Sequence, residues 1–143
     1  MQRTNRIGLT VIGLAVSVTI GVVEADVVAV VSPKSPVTTL SKNQLADIFL
    51  GKTARFPDGR PVVPIDQAEG TATRDEFYTQ FTGKSAAQIK AHWSKIIFTG
   101  RGQPPRAAAN GREIMTLLAG NPNAIGYIER NIADNTVTVL LLQ

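Results

Sequence analysis

The sequence predicts a single α/β domain, a mixed β-sheet with helices packed on it. Three observations carry that prediction. β-branched runs alternate with segments of helical spacing from Val27 onward. The helical segments carry their own start signals, a Ser, Thr or Asn followed three residues later by Gln or Glu. The chain then closes on two more apolar runs, around Ala124–Ile128 and Val137–Leu142, which read as a terminal hairpin. That order of elements is the pattern of one mixed sheet in one domain, and no internal repeat interrupts it.

Val27 to Val31 is a continuous β-branched run, as expected of a strand buried on both faces. Ser32-Pro33-Lys34-Ser35-Pro36 breaks it. In "TLSKNQLADIFLGK", Ser41 and Gln44 form a capping box and Leu40 and Leu45 a hydrophobic staple. Leu45, Ile48 and Phe49 supply the apolar face, and Gly51 is the stop. Asp58-Gly59 makes a tight turn into a short strand at Val62 to Ile65. Thr73 and Glu76 have the spacing of a second capping box, opening a helix with Phe77, Tyr78 and Phe81 inward and Gly83 at its end. Ser85 and Gln88 make a third box, followed by Ile89, Trp93, Ile96 and Ile97 at helical spacing. "TGRGQPPR" is a loop by composition. Asn110 and Glu113 cap a last helix carrying Ile114, Leu117 and Leu118.

The first 25 residues have a different character. Arg3 and Arg6 form a basic start, Ile7 to Val23 is uncharged, and Val23-Glu24-Ala25 places small residues at the positions a cleavage site requires. Residues 1–25 are therefore expected to be a signal peptide cut before Asp26, leaving residues 26–143 as the folded domain. Gly8, Gly13, Ser17 and Gly21 dilute the run, which argues against a membrane anchor. Of the 15 basic and 11 acidic residues, Arg3, Arg6 and Glu24 leave with the leader, so the domain keeps a net charge of +3. Such a surplus suits a small anion or an acidic partner surface, not nucleic acid, whose binding calls for a clustered Lys/Arg stripe. With no cysteine, disulfides, thiol catalysis and thiolate metal sites are excluded.

Candidate sites are few. His92 is the only histidine, beside Ile89, Trp93 and Ile96, and reads as a helix-flank residue. Without a second histidine or a carboxylate cluster it supports neither a metal site nor a catalytic triad, so no catalytic role and no cofactor are assigned. Trp93 and Phe98 have core spacing, with an aromatic ligand wall as the rival reading. Arg101 and Arg106 stiffen a basic rim with Pro104 and Pro105, a candidate partner contact. Gly126 in a strand marks close backbone approach or ligand access. The loop "EGTATR" has two readings. Free N–H groups at a helix start attract oxyanions, and Gly70, Thr71, Ala72, Thr73 and Arg74 would form the cradle. Alternatively Thr73 only caps its own helix.

"LSKNQLADIFLGK", "PDGRPVVPID", "GTATRDEFY" and "NPNAIGYI" resemble, in that order, the phosphate-type substrate-binding proteins of ABC importers. The similarity covers most of residues 27–142 and implies a single periplasmic-binding-protein-like lobe. It also implies periplasmic capture of inorganic phosphate or another oxyanion and delivery to a membrane permease. The family presents a Ser-Gly-Thr turn, which Gly70 and Thr71 match. Its Ser position is Glu69 here, and its Arg position, four residues earlier, is Ile65. A lone lobe would bind in the open unless a homodimer rebuilt the cleft. The alternative is an interaction module of the same fold, docking to a membrane sensor, porin or transporter through the basic rim.

Overall fold

The computed structural model describes residues 13–18 and 26–143. Most of the expected leader lies outside the described residues, and residues 13–18 are exposed without regular structure. Strand β1 (Val27–Val31) is buried at every position because the sheet is covered on both faces. Val27, Ala29 and Val31 face one apolar cluster, and Val28 and Val30 face the other. A two-residue strand β2 (Thr39–Leu40) follows. Helix α1 (Lys42–Phe49) then starts on the predicted box: Ser41 Oγ accepts from the Gln44 N–H, and Gln44 Oε1 accepts from the Ser41 N–H. Gly51, at φ +72°, ends it with paired bonds from Gly51 N–H to Ile48 O and Lys52 N–H to Asp47 O.

Strand β3 (Val63–Gln67) runs two residues beyond its predicted end and delivers Asp66 and Gln67 to buried positions. Helices α2 (Ala72–Thr82) and α3 (Ala86–Phe98) follow on the same face as α1, and Phe49, Phe77, Phe81 and Trp93 fill the space beneath them. Strand β4 (Arg106–Ala108) leads to helix α4 (Gly111–Ala119) on the opposite face, whose Ile114, Met115 and Leu118 form the second cluster. Strand β5 (Ala124–Glu129), a single helical turn (Arg130–Ile132), β6 (Thr138–Val139) and β7 (Leu141–Leu142) complete the chain.

The main sheet has the order β4-β3-β5-β1-β6, and β2 pairs with β7 in a separate parallel ribbon. β3 is parallel to both β4 and β5, and β1 is antiparallel to β5 and β6. The expected terminal hairpin does not form. β5 already has a partner on each edge, so the chain crosses over and β6 pairs with the far edge of β1.

Three further expectations change. Helix α2 begins two residues early, with Thr71 rather than Thr73 as its N-cap. At α4, Asn110 Oδ1 accepts from the Glu113 N–H, but the Glu113 carboxylate reaches the Ala109 N–H, one residue before the cap. Gly126 marks close packing against α4: a Cβ there would lie 2.5 Å from Ile114 Cγ2. The two aromatic rings of α3 also separate. Trp93 is buried against Gly51, whereas Phe98 is exposed. His92 Nε2 lies 2.8 Å from Leu50 O, so it holds the end of α1 and carries its proton on that nitrogen.

Candidate functional site

The carboxyl ends of the parallel strands β3, β4 and β5 lie along one edge of the sheet, at Gln67, Ala108 and Glu129. From that edge α2 leaves to one face and α4 to the other. A crevice outside the carboxyl ends of strands, where successive helices diverge, is where open α/β sheets bind ligands. Gln67, Asn110, Gly111, Arg112, Glu129 and Ile132 line a cleft there of about 270 Å³.

Behind the cleft is a buried polar knot centred on Asp66. Its carboxylate accepts from Tyr78 Oη at 2.5 Å, from the Gln67 N–H at 2.8 Å, and from Tyr127 Oη. Arg74 Nε lies 3.5 Å away, and the guanidinium sits 5.5 Å from the centre of the Tyr78 ring. A carboxylate removed from water requires such donors and a counter-charge. Burial, followed by the charge on Asp66, pushes both phenols well above the ordinary tyrosine range, so they stay neutral donors. Gln67 Nε2 adds a bond to Tyr127 O at 3.0 Å, fastening β3 to β5. Phe77 stacks on Tyr127 with ring centroids 3.9 Å apart, so the phenol has little room to turn away.

The loop ahead of α2 is set by Gly70 at φ +89°. A side chain there would meet nothing within 4 Å, so the backbone conformation alone demands glycine. Thr71 Oγ1 turns back to donate to Ala68 O at 2.9 Å, so the N-cap side chain makes no bond to the helix start. The first helical bond is that of the Asp75 N–H to Thr71 O, so the N–H groups of Ala72, Thr73 and Arg74 precede the ladder. Thr73 is buried and donates through Oγ1 to Glu129 Oε1 at 2.8 Å. Glu69 is turned toward α3, with Oε1 3.7 Å from Lys90 Nζ in an exposed pair.

Comparison with protein-family models and with curated proteins returns no match. Solved structures do match. A Clostridium perfringens protein, described as a phosphate ABC transporter substrate-binding protein with bound phosphate, superposes with a TM-score of 0.64 at 24% identity, over 81% of this chain and 44% of its own. An ABC-type phosphate transport receptor from Vibrio cholerae gives 0.65 at 18% identity, over 81% and 45%. PstS from Borrelia burgdorferi gives 0.63 at 14% identity, over 82% and 47%. The chain folds as one periplasmic-binding-protein-like lobe. It spans less than half the length of each of these structures.

Within that lobe, the five residues singled out around Gly70 are brought to the sheet edge, but not in one role. Gly70, Thr71 and Ala72 form the mouth of α2, Thr73 is tied to Glu129, and the Arg74 side chain is drawn inward to Asp66. Arg101 follows the end of α3, and Arg106 opens the edge strand β4. Both are exposed, and neither lines the cleft. Sequence reasoning passed over Asp66, Tyr127 and Glu129. For Asp66 there was a signal: a carboxylate ending an apolar strand just before a glycine loop. Glu129 had none, since its partner Thr73 is 56 residues away.

Proposed function

We propose that the chain is an exported solute-binding lobe that holds phosphate or a related oxyanion, without covalent chemistry, at the mouth of α2. One observation carries the reading. The N-cap residues of α1, α3 and α4, which are Ser41, Ser85 and Asn110, bond to their helix starts through their side chains, whereas Thr71 at the start of α2, on the edge where the strands end, makes no such bond. Its leading N–H groups and its positive dipole end are what an oxyanion needs. Gly70 leaves the approach clear, and backbone donors from Ala72, Thr73 and Arg74 replace the serine and arginine that the resemblance would supply.

The side chains moderate this site. Arg74 is committed to Asp66, so the positive charge lies behind the helix start and not in its mouth. Glu129 sits across the mouth with one oxygen occupied by Thr73. A fully ionised anion is repelled there, whereas one that carries a proton can donate it to the carboxylate. The reading includes a leader over residues 1–25 removed on export to the periplasm, and an importer permease as the receiving partner. A second copy closing over the exposed mouth would raise the affinity.

Calorimetric titration of residues 26–143 with phosphate, then sulfate, at low and moderate salt tests the reading. Saturable phosphate heat that survives moderate salt is expected. Heat indistinguishable from dilution would reduce the loop to an uncapped turn.

A further inference from the structure

Helix α3 ends on a feature that core packing does not explain. Ile89 and Trp93 are buried, yet Phe98 in the last turn is 93% exposed and Ile97 beside it 46% exposed. A phenyl ring left in water forgoes nearly all of its burial free energy. Fraying is not the reason. The helix terminus is closed by two bonds, Gly100 N–H to Ile97 O at 3.1 Å and Arg101 N–H to Ile96 O at 3.0 Å, with Gly100 at φ +69°. The ring is therefore presented by a fixed terminus. Ser94 and Ala91, one and two turns back on its face, are exposed and too small to cover it.

The charged residues that flank the ring along the chain have one sign. Lys95 precedes it by three residues and Arg101 follows it by three; both are exposed, and neither has an ion pair among the described residues. From Phe77 to Arg112 the chain contains no Asp or Glu, while Lys84, Lys90, Lys95, Arg101, Arg106 and Arg112 all fall within it. Of these, Lys90 is paired with Glu69, and Arg106 and Arg112 lie on β4 and α4, so Lys95 and Arg101 are the cations that flank the ring and favour a partner of opposite sign.

We propose that the last turn of α3 is a docking face for an acidic protein. Phe98 enters an apolar socket, and carboxylates around that socket pair with Lys95 and Arg101. Exposed aromatic residues and arginine are both enriched in protein interfaces, and the arginine fork matches a carboxylate. A membrane surface fits less well. Helices that lie on lipid present a broad apolar face, whereas the apolar stripe of α3 is turned into the core and only its end is bare. A symmetric contact between two copies also fits poorly, because it would bring each Lys95 and Arg101 against like charges. The proposal does not depend on whether α2 holds an oxyanion.

The test places p-benzoyl-phenylalanine at position 98 of the full chain in the cells that make it. After irradiation, the cross-linked peptide is mapped by mass spectrometry. One adduct is expected, with Asp or Glu beside the cross-link. Lys95→Glu combined with Arg101→Glu should lower its yield at least about tenfold, the scale of losing a hot spot. Replacing the mapped acids of the partner by lysine should restore it. Because the altered side chains are exposed, an unchanged denaturant midpoint separates loss of docking from loss of fold. No adduct, an adduct indifferent to charge reversal, an adduct to a second copy, or cross-linking only to vesicles of anionic phosphatidylglycerol would each overturn the proposal.

Discussion

The hydroxyl of Thr73, at the start of α2, donates to the carboxylate of Glu129, at the end of β5, across 2.8 Å. This bond joins the helix that carries the candidate anion mouth to the strand that lines the neighbouring cleft. Thr73 does not cap the helix because α2 already begins at Ala72, which places Thr73 inside the first turn with its hydroxyl turned to the sheet.

Removing that tie should cost stability without unfolding the domain. Thr73→Val, which keeps the shape and deletes the hydroxyl, is expected to destabilise by about 1–2 kcal/mol in denaturant titration. Glu129→Ala should cost at least as much, because it leaves the buried hydroxyl of Thr73 unpaired, and the double variant should fall short of the sum, because both changes delete the same bond. Full additivity would mean that the two side chains act separately.

The same carboxylate should oppose a bound anion. Glu129→Gln keeps an acceptor for Thr73 and removes the charge, so affinity for sulfate, which carries no proton at neutral pH, should rise by about threefold or more, the scale of a partly screened charge contact. The check is calorimetry at two salt concentrations, with the gain shrinking at the higher one. An unchanged affinity would move the anion away from this edge.

The knot at Asp66 makes an alkaline prediction. Tyr78 and Tyr127 have folded values raised above the 10.0 of a free phenol, so the folded state holds its protons longer than the unfolded state. Their contribution is therefore fully present below pH 10 and is lost as pH rises beyond it. Each tyrosine should steepen the fall by roughly 1.4 kcal/mol per pH unit. Tyr127→Phe should cost about 2 kcal/mol at neutral pH, since it removes a donor from a buried carboxylate, and should also make the alkaline fall shallower. Denaturant midpoints between pH 8 and 11 test both signs.

Gly126 should tolerate no side chain while α4 stays in place. Gly126→Ala drives a methyl toward Ile114 Cγ2 and is expected to cost about 1–3 kcal/mol. Ile114→Ala opens a cavity by itself, but in the double variant the new methyl occupies part of that space. The double variant should then be more stable than the sum of the single effects, as read by thermal or denaturant unfolding.

What the sequence determined by itself is local. The boxes at Ser41 and Ser85, the stops at Gly51 and Gly83, the buried run of β1 and the inward faces of α1 and α2 depend on residues within a turn of one another, or on a period the chain carries along its length. Those interactions form wherever the rest of the chain lies, so they can be read in order. What only the tertiary structure decided lies between distant residues. Tyr127 reaches Asp66 across 61 positions, and Thr73, enclosed in the first turn of a helix that starts at Ala72, finds an acceptor for its buried hydroxyl in Glu129, 56 positions away. β6 passes to β1 because β5 has no free edge. Ile97 keeps the four-residue spacing of Ile89 and Trp93, yet it is 46% exposed because α3 runs past the end of the core that covers those two. Periodicity identifies the side of a helix that faces inward; only the assembled layers determine how far along that helix there is anything to face.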